Sequence, residues 1–158
     1  MPIVERILCP VDFSETSLAA FQYADDFANW TGAELVVLHA FSQPTSYDKA
    51  GQWTPADASI QENLAAVTSK HENVQVKRIA HAGLPDEVIC WAAEDQACDL
   101  IVMGTHGRTG LKHLLFGSTA ESVLKHARCP VLTIRPQKQG QPQLAEPMVT
   151  PMPTPRYL

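Results

Sequence analysis

The chain has 158 residues, a formal net charge of −5 at pH 7 and a pI near 5.6. That length suits one domain able to bury about two-thirds of its surface, and the acidic balance argues against nucleic acid or anionic membranes as partners, since both need a basic face. No apolar run approaches membrane-spanning length, and the opening MPIVERILCP lacks the apolar core and small-residue site of a signal peptide, so the expectation is a soluble, cytoplasmic protein without membrane insertion.

In chain order, the first apolar run is Ile7-Leu8-Cys9 with Val11, short and nearly continuous, as in a strand buried on both faces of a parallel sheet. Ser14 is a candidate N-cap ahead of Leu18, Phe21, Ala24 and Ala28, which repeat on one helical face, and Gly32 supplies the stop. Leu35, Val36, Val37 and Leu38 make the second strand. The polar stretch 42–59 follows, either a surface loop or a lid, and then Ile60, Leu64 and Val67 recur at helical spacing. Residues 74–80, VQVKRIA, alternate as an outer strand does. Pro85 fits the first turn of a helix carrying Val88, Ile89, Ala92 and Ala93. A fourth run spans 100–103. Ser118 and Glu121 stand at capping-box spacing ahead of Val123, Leu124 and Ala127, and a fifth run spans 131–134.

The sum, β-α-β-α-β-α-β-α-β, predicts an α/β fold: a five-stranded parallel sheet with helices on both faces and right-handed crossovers. Such a sheet has a topological switch point, and ligands collect beside it at the carboxyl ends of the strands. Residues 136–158 hold six of the twelve prolines and few large apolar side chains, so this tail is expected to be disordered or laid as an arm on something else. Four cysteines (Cys9, Cys90, Cys98, Cys129) show no CxxC pair, and reduced, buried thiols are the expectation. His106 and His113 lack a third ligand at metal spacing.

The chemistry is concentrated in residues 102–122, VMGTHGRTGLKHLLFGSTAES. Gly104, Thr105, His106 and Gly107 form the loop at the carboxyl end of the fourth strand, and a helix follows about ten residues later. Glycines at 104, 107 and 117 would let backbone N–H groups converge, and the helix N-terminus adds free donors and a positive dipole. Together these make an anion cradle, with phosphate as the anion. Arg108 and Lys112 supply candidate cationic contacts, and Ser118 and Thr119 supply hydroxyls. Each part also has a plainer role: glycines as turn formers, Ser118 as a cap, the cations as solvated side chains. The GxxxxGK[ST] loop fails here, because Leu111, Lys112 and His113 follow Gly110; GxGxxG fails too. What fits is G-x2-G-x9-G-S, from Gly104 through Gly107 to Gly117-Ser118.

That pattern, with ILCPVDFSETSLAAFQYA, HAGLPDEVI and DLIVMGTHGRTGLKHLLFGSTAESVLKHARCPVLTIRP, resembles the universal stress protein family of the ATP-binding type, over roughly residues 3–136. The resemblance implies a Rossmann-like fold of the adenine nucleotide α-hydrolase kind, with a universal stress protein domain over 1–136 and the tail at 137–158. It implies ATP between the first and fourth strands. Pro10, Val11 and Asp12 match the adenosine-contacting strand end, and Leu38 the position beside the base. Met103, Gly104, Thr105, His106 and Gly107 match the fourth-strand loop, with Arg108 next to it. Gly117, Ser118 and Thr119 match the triphosphate-binding turn. Asp12 has two readings: an Asx turn or N-cap, or a carboxylate for ribose hydroxyls or for Mg²⁺ beside the phosphates.

Three functions compete. The first is an ATP-binding regulatory module in stress adaptation, homodimeric through Val131 to Ile134; the plainer fate of that edge is cover by the tail. The second is a slow Mg²⁺-dependent ATPase, for which no spacing marks a catalytic base. The third is an interaction protein that ignores nucleotides.

Overall fold

The structure, a computed structural model, describes residues 4–42, 58–106 and 116–135. Among them nine elements alternate: β1 (Arg6–Pro10), α1 (Glu15–Thr31), β2 (Glu34–Phe41), α2 (Ala58–Ala66), β3 (Val76–Ala82), α3 (Pro85–Asp95), β4 (Leu100–Gly104), α4 (Ser118–His126) and β5 (Val131–Ile134). The strands are all parallel, in the order β3-β2-β1-β4-β5. The expected α/β sheet is therefore present, with the alternating run at 74–80 realised as an edge strand displaced to Val76–Ala82. The stretch 43–57, the residues 107–115 and the tail lie outside the described residues.

Strand alternation divides the core in two. Ile7, Cys9, Leu35, Val37, Leu100 and Val102 face α1 and α2, where Phe21, Ala24, Ala28 and Leu64 meet them. Leu8, Val36, Leu38, Ile101 and Met103 face α3 and α4, meeting Val88, Ile89, Ala92 and Val123. Both faces of the central strands are covered, which is why β1, β2 and β4 read as unbroken apolar runs.

α1 starts and stops as its sequence dictates. The Ser14 hydroxyl accepts the Ser17 N–H at 3.2 Å, and Gly32, at φ 77, ends the helix in the left-handed region with its N–H on Ala28 O at 2.8 Å. Leu18 is an exception to the expected buried face: it is 36% exposed. α2 ends at Ala66, and Val67 is buried just beyond it. There the Arg78 guanidinium takes over the last carbonyls, donating to Leu64 O and Val67 O.

α4 corrects the sequence reading. Its N-cap is Gly117, at φ −70 and ψ 163, and Ser118 is the first helical residue, with no side-chain cap bond. The physical cause is the Gly117 N–H, which is bound by Thr105 O at 2.7 Å and so fixes the entry one residue early, while Gly117 O accepts the Glu121 N–H at 3.0 Å.

β5 is the other edge. Pro130 O accepts from Ile101 N–H and Ile134 O from Thr105 N–H, both at 3.0 Å. Backbone groups alternate sides along a strand, so those of Val131 and Thr133 address the outside. The four cysteines are free thiols: Cys9 and Cys98 are buried, Cys90 and Cys129 half-buried. Burial pushes all four upward, Cys98 to about 12. No helix among the described residues is long and apolar enough to cross a membrane.

Candidate functional site

The sheet order reverses at β1 and β4: the chain leaves β1 toward β2 and β3, then crosses the opposite face to β4. A cavity of about 280 Å³ opens there, at the carboxyl ends of the strands. Eleven of the thirteen residues singled out in the sequence line it: Pro10, Val11, Asp12, Leu38, Met103, Gly104, Thr105, His106, Gly117, Ser118 and Thr119. Gly107 and Arg108, like Lys112, lie outside the described residues.

The β1 wall is set by a compact turn. Asp12 Oδ1 accepts the Ser14 N–H at 3.0 Å, an Asx turn, while the Asp12 N–H donates to Ser17 Oγ at 3.2 Å. Ser17 Oγ in turn donates to Ser14 O at 3.0 Å. Between them Phe13 sits at φ 64, a left-handed conformation uncommon outside glycine. Its ring packs on His39 with centroids 4.6 Å apart, and His39 Nδ1 donates to Val11 O at 2.8 Å. The plain Asx-turn role of Asp12 is thus present, in the same residue that lines the cavity.

The β4 wall turns on Thr105, which is fully buried. Its N–H is held by Ile134 O and its C=O by the Gly117 N–H, so the two peptide groups flanking this one residue link the last strand to the entry of α4. Its hydroxyl lies 3.0 Å from His106 Nδ1. Beyond it, the first turn of α4 presents main-chain N–H groups without intrahelical partners, together with the dipole's positive end.

The two described motif glycines owe their identity to close packing. Neither has a positive φ. A Cβ on Gly104 would sit 2.8 Å from Thr16 Cγ2 and 3.3 Å from Thr16 O; one on Gly117 would sit 3.3 Å from Thr105 O. A side chain at 104 would therefore clash with the first turn of α1.

Sequence reasoning missed five lining residues: Ser17, Ala40, Pro85, Ile89 and Ala120. Ala40 and Ala120 each extend a segment already singled out. Pro85 and Ile89 come from α3, which reaches the cavity only because the β3–β4 crossover lays it beside α4. No motif signals that. Among the described residues no three His, Cys, Asp or Glu side chains gather as a metal cage. A Mg²⁺ at Asp12 would have to be shared with ligand phosphates, as Mg²⁺ commonly is.

A doubly wound α/β domain with a polar-tipped cavity at its switch point is the class of protein that fold and site define. The chain belongs to the universal stress protein family, whose model matches residues 4–135. Universal stress protein MJ0531 of Methanocaldococcus jannaschii is 34% identical, covering 87% of this chain and 85% of its own. Universal stress protein MJ0577 of the same organism is 31% identical over 83% of this chain and 94% of its own. The solved structure of MJ0577 superposes with a TM-score of 0.67, covering 85% of this chain and 97% of that one. The universal stress protein from Archaeoglobus fulgidus, solved in complex with dAMP, shares the fold at a TM-score of 0.62 and 20% identity, over 84% of this chain and 98% of its own.

Proposed function

We propose that this chain is a cytoplasmic regulatory module that binds an adenine nucleotide, ATP foremost, in the crevice between β1 and β4. The observation that carries the reading is the composition of the cavity wall. Leu38, Met103 and Ile89 supply an apolar slot for a planar base, Asp12 a carboxylate for ribose hydroxyls or a phosphate-bound Mg²⁺, and the first turn of α4 an anion-favouring end. Gly107 and Arg108 complete the set in sequence. Two copies pair through the outward backbone edge of β5, which the alternation at Val131 and Thr133 leaves available.

The module is a binder with slow or no turnover. Fast phosphoryl transfer needs a positioned base or water-holder as well as charge stabilisation, and Asp12, the one carboxylate among the described residues of the wall, already accepts a backbone N–H. Equilibrium dialysis of the purified chain with ATP, followed over hours with Mg²⁺, tests both halves. The expected result is retained ATP with hydrolysis far below about 1 per second, the low end of ordinary enzymes. A Mg²⁺-dependent rate of several per second that vanishes in Asp12→Ala would make the protein an ATPase. No nucleotide uptake would leave an interaction protein.

A further inference from the structure

An apolar shelf lies on the α1 side of the sheet next to β5. At about 100° per residue, Tyr23, Phe27 and Trp30 share one flank of α1. It is the flank opposite Asp25, whose carboxylate receives Ser69 Oγ and the Lys70 N–H on the β3 side. The aromatic flank therefore faces the β5 edge. Trp30 is 80% exposed and Tyr23 51%, while Phe27 meets Trp30 edge-on with ring centroids 5.8 Å apart. Leu132 and Ile134 of β5 pack against the same core, half-buried, and continue the shelf. Among the described residues no helix lies beyond α1 on this face, because α2 covers the β3 side and α3 and α4 cover the other. An exposed tryptophan next to a half-covered edge strand is a surface that gains free energy on being covered.

The chain itself supplies a fitting occupant. It leaves β5 at Arg135 with 23 residues still to come, and residues 147–155, PMVTPMPTP, carry four prolines, two methionines and no charge. Such a segment favours the polyproline II helix, which loses little entropy on docking and seats well on aromatic-lined grooves. The eleven residues 136–146 span about 34 Å at the polyproline rise of about 3.1 Å. α1, with 17 residues, is about 25 Å long. The reach is sufficient.

We propose that residues 147–155 lie as a polyproline strap along the Tyr23-Phe27-Trp30 flank of α1 and across Leu132 and Ile134. The strap covers side chains on one face and leaves the outer backbone edge of β5 open, so it is compatible with strand pairing between copies. It does not depend on what the cavity binds.

The test uses the full chain with Trp53→Phe and Trp91→Phe, so that Trp30 is the one emitter, and acrylamide as quencher. Trp30 is expected to be shielded, equally so across a roughly hundredfold dilution, because a tethered segment acts at a high effective concentration. Adding Pro151→Ser, Pro153→Ser and Pro155→Ser is expected to raise its quenching constant several-fold. A Trp30 that is quenched alike with and without those prolines overturns the strap. Shielding that fades on dilution and ignores the prolines overturns it in favour of a second copy on the same shelf.

Discussion

Gly104 stands where α1 packs closely on β4 beside the cavity. Its missing Cβ lets the first turn of α1 approach β4, and a methyl there would meet Thr16 Cγ2 at 2.8 Å. Gly104→Ala is expected to destabilise the apo protein by about 1–3 kcal/mol, the usual cost of overpacking, with partial recovery in a Thr16→Ser background that removes the clashing methyl. Chemical denaturation of the two single variants and the double variant measures it; additive losses would refute the contact. Ser118 gives the opposite expectation. Since Gly117 holds the cap and Ser118 makes no cap bond, Ser118→Ala should leave apo stability within about 0.5 kcal/mol, as surface substitutions do. Weaker ATP retention in that variant would then report a lost ligand contact, whereas a lower apo melting temperature would show that Ser118 caps after all.

The helices and strands show what local sequence encodes and what it does not. Strands buried on both faces declare themselves as unbroken apolar runs, as Leu35 to Leu38 do, and α1 carries both stop signals in its own letters. The start of α4 was misread because Ser118 and Glu121 mimic a capping box, while the deciding bond comes from Thr105, twelve residues upstream of Gly117. The α3 wall of the cavity was illegible for the same reason, since only the crossover brings Pro85 and Ile89 there. α3 and α4 are also joined by a bond that pH should expose. Ser122 Oγ donates to Asp86 at 2.6 Å, and that hydroxyl first, then backbone N–H groups of the α3 first turn, hold the Asp86 carboxyl below its ordinary range against the opposing cost of burial. A depressed folded pKa contributes stability that is present above the unfolded value of about 3.9 and is lost as pH falls through the folded pKa. The stability advantage of the native chain over Ser122→Ala is therefore expected to shrink in acid. Paired urea titrations from neutral pH down to about pH 3 follow it, and a constant gap would rule the linkage out.

At the scale of the whole molecule, the proposed association through β5 is testable, since among the described residues no strand pairs with its outer edge. Val131 and Thr133 turn their backbone groups outward, so Thr133→Pro deletes an outward donor and keeps the bonds to β4, a placement that edge strands tolerate. If copies pair there, this variant is expected to sediment as a monomer at concentrations where the native chain is dimeric, with its melting temperature falling only by the loss of the partner. A native chain that is monomeric throughout, or a dimer indifferent to Thr133→Pro, moves the interface elsewhere. Family membership accords with the five-stranded parallel α/β sheet.

The position of Thr105 has a consequence of its own. Two rigid peptide planes meet at its Cα: the one before it is fastened through the Thr105 N–H to Ile134, and the one after it through the Thr105 C=O to Gly117. Only the two backbone dihedrals of one buried residue separate these attachments. The entry of α4 and the edge strand β5 are thus both held by a single enclosed threonine. If a ligand in the crevice shifts the entry of α4 and that shift reaches β5, a partner on β5 must alter the ligand's affinity by the same coupling free energy.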